Sequence, residues 1–317
     1  MPVETNKIPV LAVAGPTASG KTGLAVTLAE QFNAEVLSFD SMQLYKTMDV
    51  ATAKPTKEEM RNVPHHMIDV IDPAETFSVA RYKEAADRII GEIAARGHNV
   101  VMVGGTGLYL DTVLRNIQFL DMGDNTEVRA ALNEELERDG LPALMDRLRK
   151  IDPDYAAKID PNNAGRVIRA LEVYTLTGYT MSYQIAQSTR EPSRYQPLIL
   201  GLTAKDREFL YDRIDKRVDL MVEHGLLDEA QEWLAREPGP TAAQAIGIKE
   251  VLPYLNGEKS LEDCLEQLKL DTRHYAKRQL TWFRREPDIH WIFIDECGSP
   301  ERVAEEATAV VRASGLF

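Results

Sequence analysis

The run Gly15-Pro16-Thr17-Ala18-Ser19-Gly20-Lys21-Thr22 has the spacing GxxxxGK[ST]. Its chemistry is phosphate binding. Glycines let the backbone curl until successive N–H groups point at phosphate oxygens, and a helix starting near Lys21 adds the positive end of its dipole. Lys21 brings a positive charge, and the Thr22 hydroxyl suits a Mg²⁺ ligand. The motif stands between an apolar run, Ile8–Ala14, and a segment of helical spacing, Lys21–Phe32, which is the context it requires. A carboxylate follows a second apolar run: Asp40, in Ser38-Phe39-Asp40-Ser41. Kinases and ATPases set an acidic residue after a further strand to hold Mg²⁺. Here that run, Asn99–Val103, ends in Gly104-Gly105-Thr106-Gly107 with no carboxylate. The phosphate site is present without its usual metal companion, which weighs against phosphoryl transfer.

Three other groups of residues are chemically suggestive. Arg273, Lys277, Arg278, Arg284 and Arg285 interleave with Tyr275, Trp282 and Phe283. Arg273 and Lys277, four apart, share a helix face, and cations among aromatic rings fit phosphate contact with base stacking. An ordinary amphipathic helix with Trp282 and Phe283 in the core fits too. His65-His66 invites a metal reading, but adjacent side chains diverge, which favours a structural role. Cys264 and Cys297 stand far apart with no zinc or disulfide spacing.

Positioning such residues needs a scaffold, and the periodicity supplies one. Ile8–Ala14, Ala34–Ser38, His66–Ile71 and Asn99–Val103 read as strands. Lys21–Phe32 and Phe77–Arg96, the latter started near Thr76, read as the helices between them. Strands alternating with helices predict an α/β fold: a P-loop NTPase-like parallel sheet with flanking helices. The pattern then turns to polar helix, broken at Asp152-Pro153, Asp160-Pro161 and Glu191-Pro192, before strand character returns at Pro197–Leu202 and Ile289–Ile294. The expected organisation is a catalytic core of residues 1–115 and 196–317 with a small all-helical insertion domain of residues 116–195. The net charge of −13 argues against a protein coated in positive charge, although phosphate contacts depend on local patches. The apolar run before the phosphate loop is too short for a membrane span or a secretory signal. A cytoplasmic location with no membrane attachment is expected, and no obligate protein partner is evident.

In this setting Asp40-Ser41-Met42-Gln43-Leu44-Tyr45 resembles the tRNA dimethylallyltransferase (isopentenyltransferase) family, bacterial type. Ala51-Thr52-Ala53-Lys54-Pro55, Val103-Gly104-Gly105-Thr106-Gly107-Leu108-Tyr109, Arg169-Ala170-Leu171-Glu172-Val173-Tyr174, Gln244-Ala245-Ile246-Gly247 and the segment from Thr272 to Trp282 agree in order. Ile248 stands where that family favours an aromatic residue and His274 where it favours a basic one. No Cys/His pattern supports the zinc finger of eukaryotic relatives.

The resemblance implies transfer of a dimethylallyl group from dimethylallyl diphosphate to the exocyclic amine of the adenine 3′ to the anticodon. The tRNAs concerned read codons beginning with U, and diphosphate is released. Gly15 to Thr22 would hold the diphosphate, with Mg²⁺ at Thr22. Asp40 is the candidate general base, and Arg217 resembles an arginine directed at the diphosphate. Thr106 is a candidate for hydrogen-bonding the adenine or its amine, with capping of the following helix the other reading. The tRNA anticodon stem-loop would meet Asp40, Ser41, Met42, Gln43 and Thr106; Gly165, Arg166 and Arg169; Gln244, Ala245, Ile246, Gly247 and Lys249; and Arg273, Lys277, Arg278 and Gln279. Two other classes fit the phosphate loop: a small-molecule kinase using ATP, and a nucleotide-dependent switch, for which no NKxD base-recognition motif is present.

Overall fold

The computed structural model describes residues 7–236 and 238–317, so residues 1–6 of the expected core lie outside the described residues. In chain order the elements are β1 (Ile8–Ala14), α1 (Lys21–Gln31), β2 (Ala34–Ser38), α2 (Lys57–Met60), β3 (His65–His66), α3 (Val79–Ala95), β4 (Asn99–Gly104) and α4 (Gly107–Leu114). Four helices follow: α5 (Thr126–Ile151), α6 (Pro153–Ala156), α7 (Ala164–Thr177) and α8 (Met181–Ser188). The remainder comprises β5 (Tyr195–Thr203), α9 (Arg207–Glu223), α10 (Leu226–Leu234), α11 (Ile248–Leu255), α12 (Leu261–Phe283), β6 (Ile289–Phe293), α13 (Ile294–Cys297) and α14 (Pro300–Ser314).

The six strands form one sheet in the order β3-β2-β4-β1-β5-β6, and every pairing is parallel. A parallel sheet is covered on both faces, so its strands are apolar on both. β1 shows the consequence: Val10, Ala12 and Ala14 enter the core under one layer of helices, and Leu11 and Val13 enter the other. Leu24, Leu28 and Val303, from α1 and α14, meet the second group, while Tyr82, Ile90 and Val113, from α3 and α4, meet the first. Because all strands run one way, the turns after β1, β2 and β4 emerge along one edge, where α/β sheets hold their ligands.

Some expected elements differ. The strand expected over His66–Ile71 is only the two-residue β3, because Met67 and Asp69 take φ of 61° and 55° and break the extended chain. Contact resumes through a lone parallel bridge between Tyr45 and Ile71. The long helix starts two residues later than the sequence suggests: Ser78, not Thr76, caps α3, its hydroxyl accepting from the Arg81 N–H at 3.2 Å. Ile294 leaves the last strand to open α13.

The chain divides into two compact units, one of residues 1–114 and 194–317 and the other of residues 115–193. The second is built from helices alone among its described residues. Its longest helix, α5, is interrupted at Gly140, where φ is 78° and ψ 163°, just before Pro142. Leu132, Leu144, Leu148, Val167 and Leu171 form its core. Glu172 is fully buried beside that core and accepts from Arg129 Nε at 2.7 Å, Arg129 Nη2 at 2.8 Å, Arg169 Nη1 at 2.7 Å and Asn125 Nδ2 at 2.8 Å. A buried carboxylate without such partners would be costly; here both oxygens are matched.

Candidate active site

The turn after β1 is a phosphate cradle in its backbone. Gly15 and Gly20 take φ of 147° and 89°, a conformation that favours glycine at both, and at Gly15 space forbids a side chain as well, since a Cβ there would fall 2.5 Å from the Leu202 carbonyl oxygen. Gly20 caps α1 without a side-chain acceptor, which leaves first-turn N–H groups of α1 available to an anion. Within the loop, Ser19 Oγ and Lys21 Nζ both donate to the Pro16 carbonyl, at 2.8 and 2.6 Å. Arg213 Nε, from α9, donates to the Ala18 carbonyl at 2.8 Å. That carbonyl faces away from the following peptide N–H, so Arg213 helps fix the direction of the Ser19 amide. Lys21 is pushed down to about 7 by burial and by the Arg217 guanidinium, with Asp40 pulling the other way. Arg217, half-buried, is held below its ordinary value by burial, opposed by Asp40 and Glu59.

Asp40 follows the end of β2. Its Oδ1 accepts from the Met42 N–H at 2.9 Å, an Asx turn, and the carboxylate lines the same cavity as Lys21, Thr22 and Arg217. The capping alternative for Thr106 does not describe its side chain: the Thr106 carbonyl starts α4, accepting from the Tyr109 N–H at 2.9 Å. Its hydroxyl instead accepts from the Ser41 N–H at 3.1 Å and donates to Ser41 Oγ at 3.2 Å. Thr106 thus ties the turn after β4 to the turn after β2.

The cavity encloses about 280 Å³. Its polar end is Thr17, Lys21, Thr22 and Arg217, and its apolar wall is Ala51, Val218, Met221, Ile246 and Leu268. Ser41, Met42, Gln43, Gln244, Gly247, Lys249, Arg278 and Gln279 also line it, whereas Ala245 is packed beneath, 2% exposed. Several of these residues are engaged with the protein itself. Gln43 Nε2 donates to the Thr52 and Ala53 carbonyls at 3.4 and 3.3 Å. Gly247, at φ 113°, is pressed against Ala51, where a Cβ would fall 2.9 Å from the alanine methyl. The Glu229 carboxylate, from α10, accepts from the N–H groups of Asp49, Val50 and Ala51 at 2.7, 2.7 and 2.9 Å, pinning the segment that forms the wall.

Helix α12 contributes one face to the cavity: Leu268, Thr272, Tyr275 and Gln279, at i, i+4, i+7 and i+11. Arg278 reaches the cavity from the next face, its guanidinium 5.6 Å over the Tyr275 ring, and Lys277 is exposed. Arg273 is committed elsewhere. Its Nε donates to Asp215 Oδ1 at 3.0 Å, Nη2 pairs with Oδ2, and the guanidinium lies 5.3 Å over the Tyr211 ring, tying α12 to α9. Of the three aromatic residues on this stretch, two take the amphipathic-helix reading: Phe283 is 2% exposed in the main core, and the Trp282 indole N–H donates to Asp111 at 2.9 Å, whereas Tyr275 lines the cavity. Arg284 and Arg285 are exposed.

Gly165, Arg166 and Arg169 stand in α7 of the helical unit; Arg166 is exposed and Arg169 is held by Glu172. His65 Nδ1 pairs with the Val63 carbonyl at 2.8 Å and His66 Nε2 with Glu35 at 2.6 Å, so the pair diverges. Burial works to raise Glu35, but Arg96, His66 and His98 pull it down to about 2. Among the described residues no three His, Cys, Asp or Glu side chains converge to hold a metal, and no helix is long and apolar enough to cross a membrane. Sequence reasoning missed the wall residues Val218, Met221, Leu268 and Thr272. The i, i+4, i+7 spacing back from Gln279 was the signal for those on α12.

The model of the family described as IPP transferase matches residues 43–286. A protein named tRNA dimethylallyltransferase from Acetivibrio thermocellus is 45% identical over 310 residues, covering 97% of this chain and 99% of its own. The crystal structure of the full-length tRNA isopentenylpyrophosphate transferase from Bacillus halodurans is 44% identical, with a TM-score of 0.72 over 98% of this chain and 97% of its own. A eukaryotic dimethylallyltransferase, solved in snapshots of its action on tRNA, is 33% identical, with a TM-score of 0.76 over 90% of this chain and 74% of its own.

Proposed function

The chain belongs to the IPP transferase family, and from that premise we propose that it transfers a dimethylallyl group from dimethylallyl diphosphate to the exocyclic amine of the adenine 3′ to the anticodon of tRNA. The observation that carries this reading is one small cavity with a cationic phosphate end, an apolar wall and a carboxylate, Asp40, also lining it. An allylic diphosphate has matching chemistry: an anionic head on a branched five-carbon group. The tRNAs concerned are those that read codons beginning with U.

In the reaction the allylic C–O bond breaks, its electron pair leaving on diphosphate, and a C–N bond forms to the adenine amine. Lys21, Arg217 and the amides of the phosphate loop stabilise the charge that grows on the departing group; such donors, fixed before reaction in a site shielded from water, are the effective kind. Asp40 takes the proton that the amine loses. Thr106 and Ser41, joined to each other, orient the amine toward the allylic carbon. The donor set fits Mg²⁺ bound chiefly by substrate: Thr22 lines the cavity beside Lys21, and Mg²⁺ commonly takes one or two protein oxygens with substrate phosphates and water. When bound, it adds positive charge at the diphosphate oxygens. Arg278 and Lys249 at the cavity, the exposed Lys277, and Gly165, Arg166 and Arg169 in the helical unit supply the RNA contacts, with Ser41, Met42 and the Gln244–Gly247 segment against the target loop. A cytoplasmic location without an obligate protein partner completes the reading.

The test mixes protein, Mg²⁺, labelled dimethylallyl diphosphate and unmodified tRNA and follows label into RNA. Incorporation by the wild type and its loss in Lys21→Met are expected. Absence of incorporation together with absence of RNA binding would overturn the reading and direct attention to ATP turnover.

A further inference from the structure

Residues 49–54 fold as a single helical turn. The Ala53 N–H donates to the Val50 carbonyl at 3.0 Å and the Lys54 N–H to the Asp49 carbonyl at 2.9 Å. These are the two bonds of a Schellman closure, which places Ala53 where a left-handed residue is needed. Ala53 takes φ of 43°, a conformation it adopts without the freedom of glycine. So short a turn also leaves its first N–H groups without partners of their own. Glu229 accepts from all three: Oε2 from Asp49 and Val50, and Oε1 from Ala51. The side chain is placed by α10, whose Leu226, Ala230 and Trp233 are buried in the main core. A strained turn is thus gripped by a carboxylate from a distant, well-anchored helix.

The turn is a partition. Ala51 and Thr52 face the reaction cavity, Asp49, Val50 and Lys54 face a second, open basin of about 870 Å³, and Ala53 faces both. The two spaces share Lys21, Thr22, Arg217 and Met221, so they meet beside the phosphate-binding residues. Away from that junction the turn stands between the basin and the apolar wall. Ala51 packs in turn against the Gly247 backbone. Gly247 has a carboxylate of its own: its N–H donates to Glu250 Oε2 at 2.8 Å, and Glu250 is 7% exposed. The seam between Ala51 and Gly247 is therefore held from one side by α10 and from the other by α11.

An allylic carbon that is losing diphosphate reacts with whichever nucleophile reaches it, water included. In that side reaction the allylic C–O bond breaks with its electron pair leaving on diphosphate. A water oxygen then bonds to the carbon and gives its proton to solvent, releasing a five-carbon alcohol in place of modified RNA. Shielding the hydrocarbon from water is part of a productive transfer.

We infer that Glu229 is a positioning residue that keeps the turn of residues 49–54 closed against water, so that the allylic group is captured by the adenine amine. This rests on the proposed prenyl transfer. Glu229 does not line the cavity; it acts through Ala51 and Thr52, which do.

The experiment supplies Mg²⁺, unmodified tRNA and dimethylallyl diphosphate labelled in its hydrocarbon, and measures label in RNA and in alcohol from the same reaction. It compares wild type, Glu229→Ala and Glu229→Gln, which keeps one acceptor oxygen, each checked for a wild-type thermal transition. The wild type is expected to send nearly all label to RNA. Glu229→Ala should raise the ratio of alcohol to modified RNA about tenfold or more, with Glu229→Gln between the two. The ratio is the readout because a smaller folded fraction lowers both products together. An unchanged ratio in Glu229→Ala, or in Glu229→Gln should only that variant fold, overturns the inference. So does a wild type that makes alcohol as fast as modified RNA. If neither variant folds, amide exchange in the wild type decides: slow exchange at Asp49, Val50 and Ala51 is expected, and exchange at the open-chain rate overturns the inference. A wild type that yields neither product overturns the proposed transfer itself, a result distinct from lost coupling.

Discussion

Lys21 carries a prediction that the geometry makes quantitative. In the ligand-free protein its ammonium is pushed down to about 7 by burial and by Arg217, with Asp40 opposing. A diphosphate beside it adds negative charge, which favours the charged form and returns the group toward its ordinary value of 10.5. Above neutrality, then, the empty site is mostly uncharged at Lys21 and binding draws in a proton: about 0.9 per site at pH 8, about 0.5 at pH 7 and about 0.1 at pH 6. The sign for affinity follows. Binding is strongest below pH 7 and weakens by up to about tenfold per pH unit above it, until the pKa of the complex is reached. Calorimetric titration with dimethylallyl diphosphate in two buffers of different ionisation enthalpy measures the uptake. The ligand's own protonation contributes too, so Lys21→Arg, which keeps a permanent charge, is the control. Equal uptake by wild type and Lys21→Arg at pH 8 would refute the reasoning, because Lys21 would then be charged in the empty site.

Asp40→Asn should lower turnover about 10²-fold or more while leaving tRNA affinity nearly intact; single-turnover rates beside a binding titration separate the two, and an unchanged rate removes Asp40 as the base. Arg278→Ala should weaken tRNA binding and flatten its salt dependence by about one unit of slope, whereas an unaltered slope means that this side of α12 does not meet RNA. Glu172→Ala strands Arg129 and Arg169 in the helical unit; since both are partly exposed and regain water, the cost should be about 2 kcal/mol rather than the larger figure for a fully buried pair. Hydrogen exchange at α5 and α7 should accelerate about 30-fold, and protection equal to wild type would show that the network contributes little.

How far the site could be read without coordinates depended on how local its signals are. The phosphate loop is local: seven residues of apolar strand, a glycine turn and a helix start stand together in the chain, and the structure keeps them so. The same holds for the parallel sheet, whose strands announce themselves by burial on both faces. The cavity wall is not local. Val218 and Met221 on α9, Ile246 before α11 and Leu268 on α12 meet only because two helices and the turn before a third pack together, and alone each is an ordinary core residue. The basic stretch of α12 was legible only in part, for a related reason. Charge and aromaticity are visible in sequence, but whether Arg273 faces an RNA or Asp215, and whether Phe283 faces solvent or the core, is set by helix rotation against neighbours. His66–Ile71 failed as a strand because its two left-handed residues, Met67 and Asp69, are not glycines and gave no warning.

The arrangement on α12 limits which changes this chain can accept over time. Leu268, Thr272, Tyr275 and Gln279 span 11 residue steps, close to three whole turns, and so share a line down the helix; each residue added or removed would rotate everything beyond it by about 100°. A single-codon insertion between Leu268 and Gln279 would swing the Gln279 carboxamide off the Thr17 N–H and the Gly105 carbonyl that it joins and carry the Arg278 face away from the cavity. Substitutions along this helix can be tried one at a time, but its length cannot drift by small steps. Length variation in descendants of such a chain should therefore collect in loops such as the one between α11 and α12, and the spacing from Leu268 to Gln279 should stay fixed even where the residues between them change.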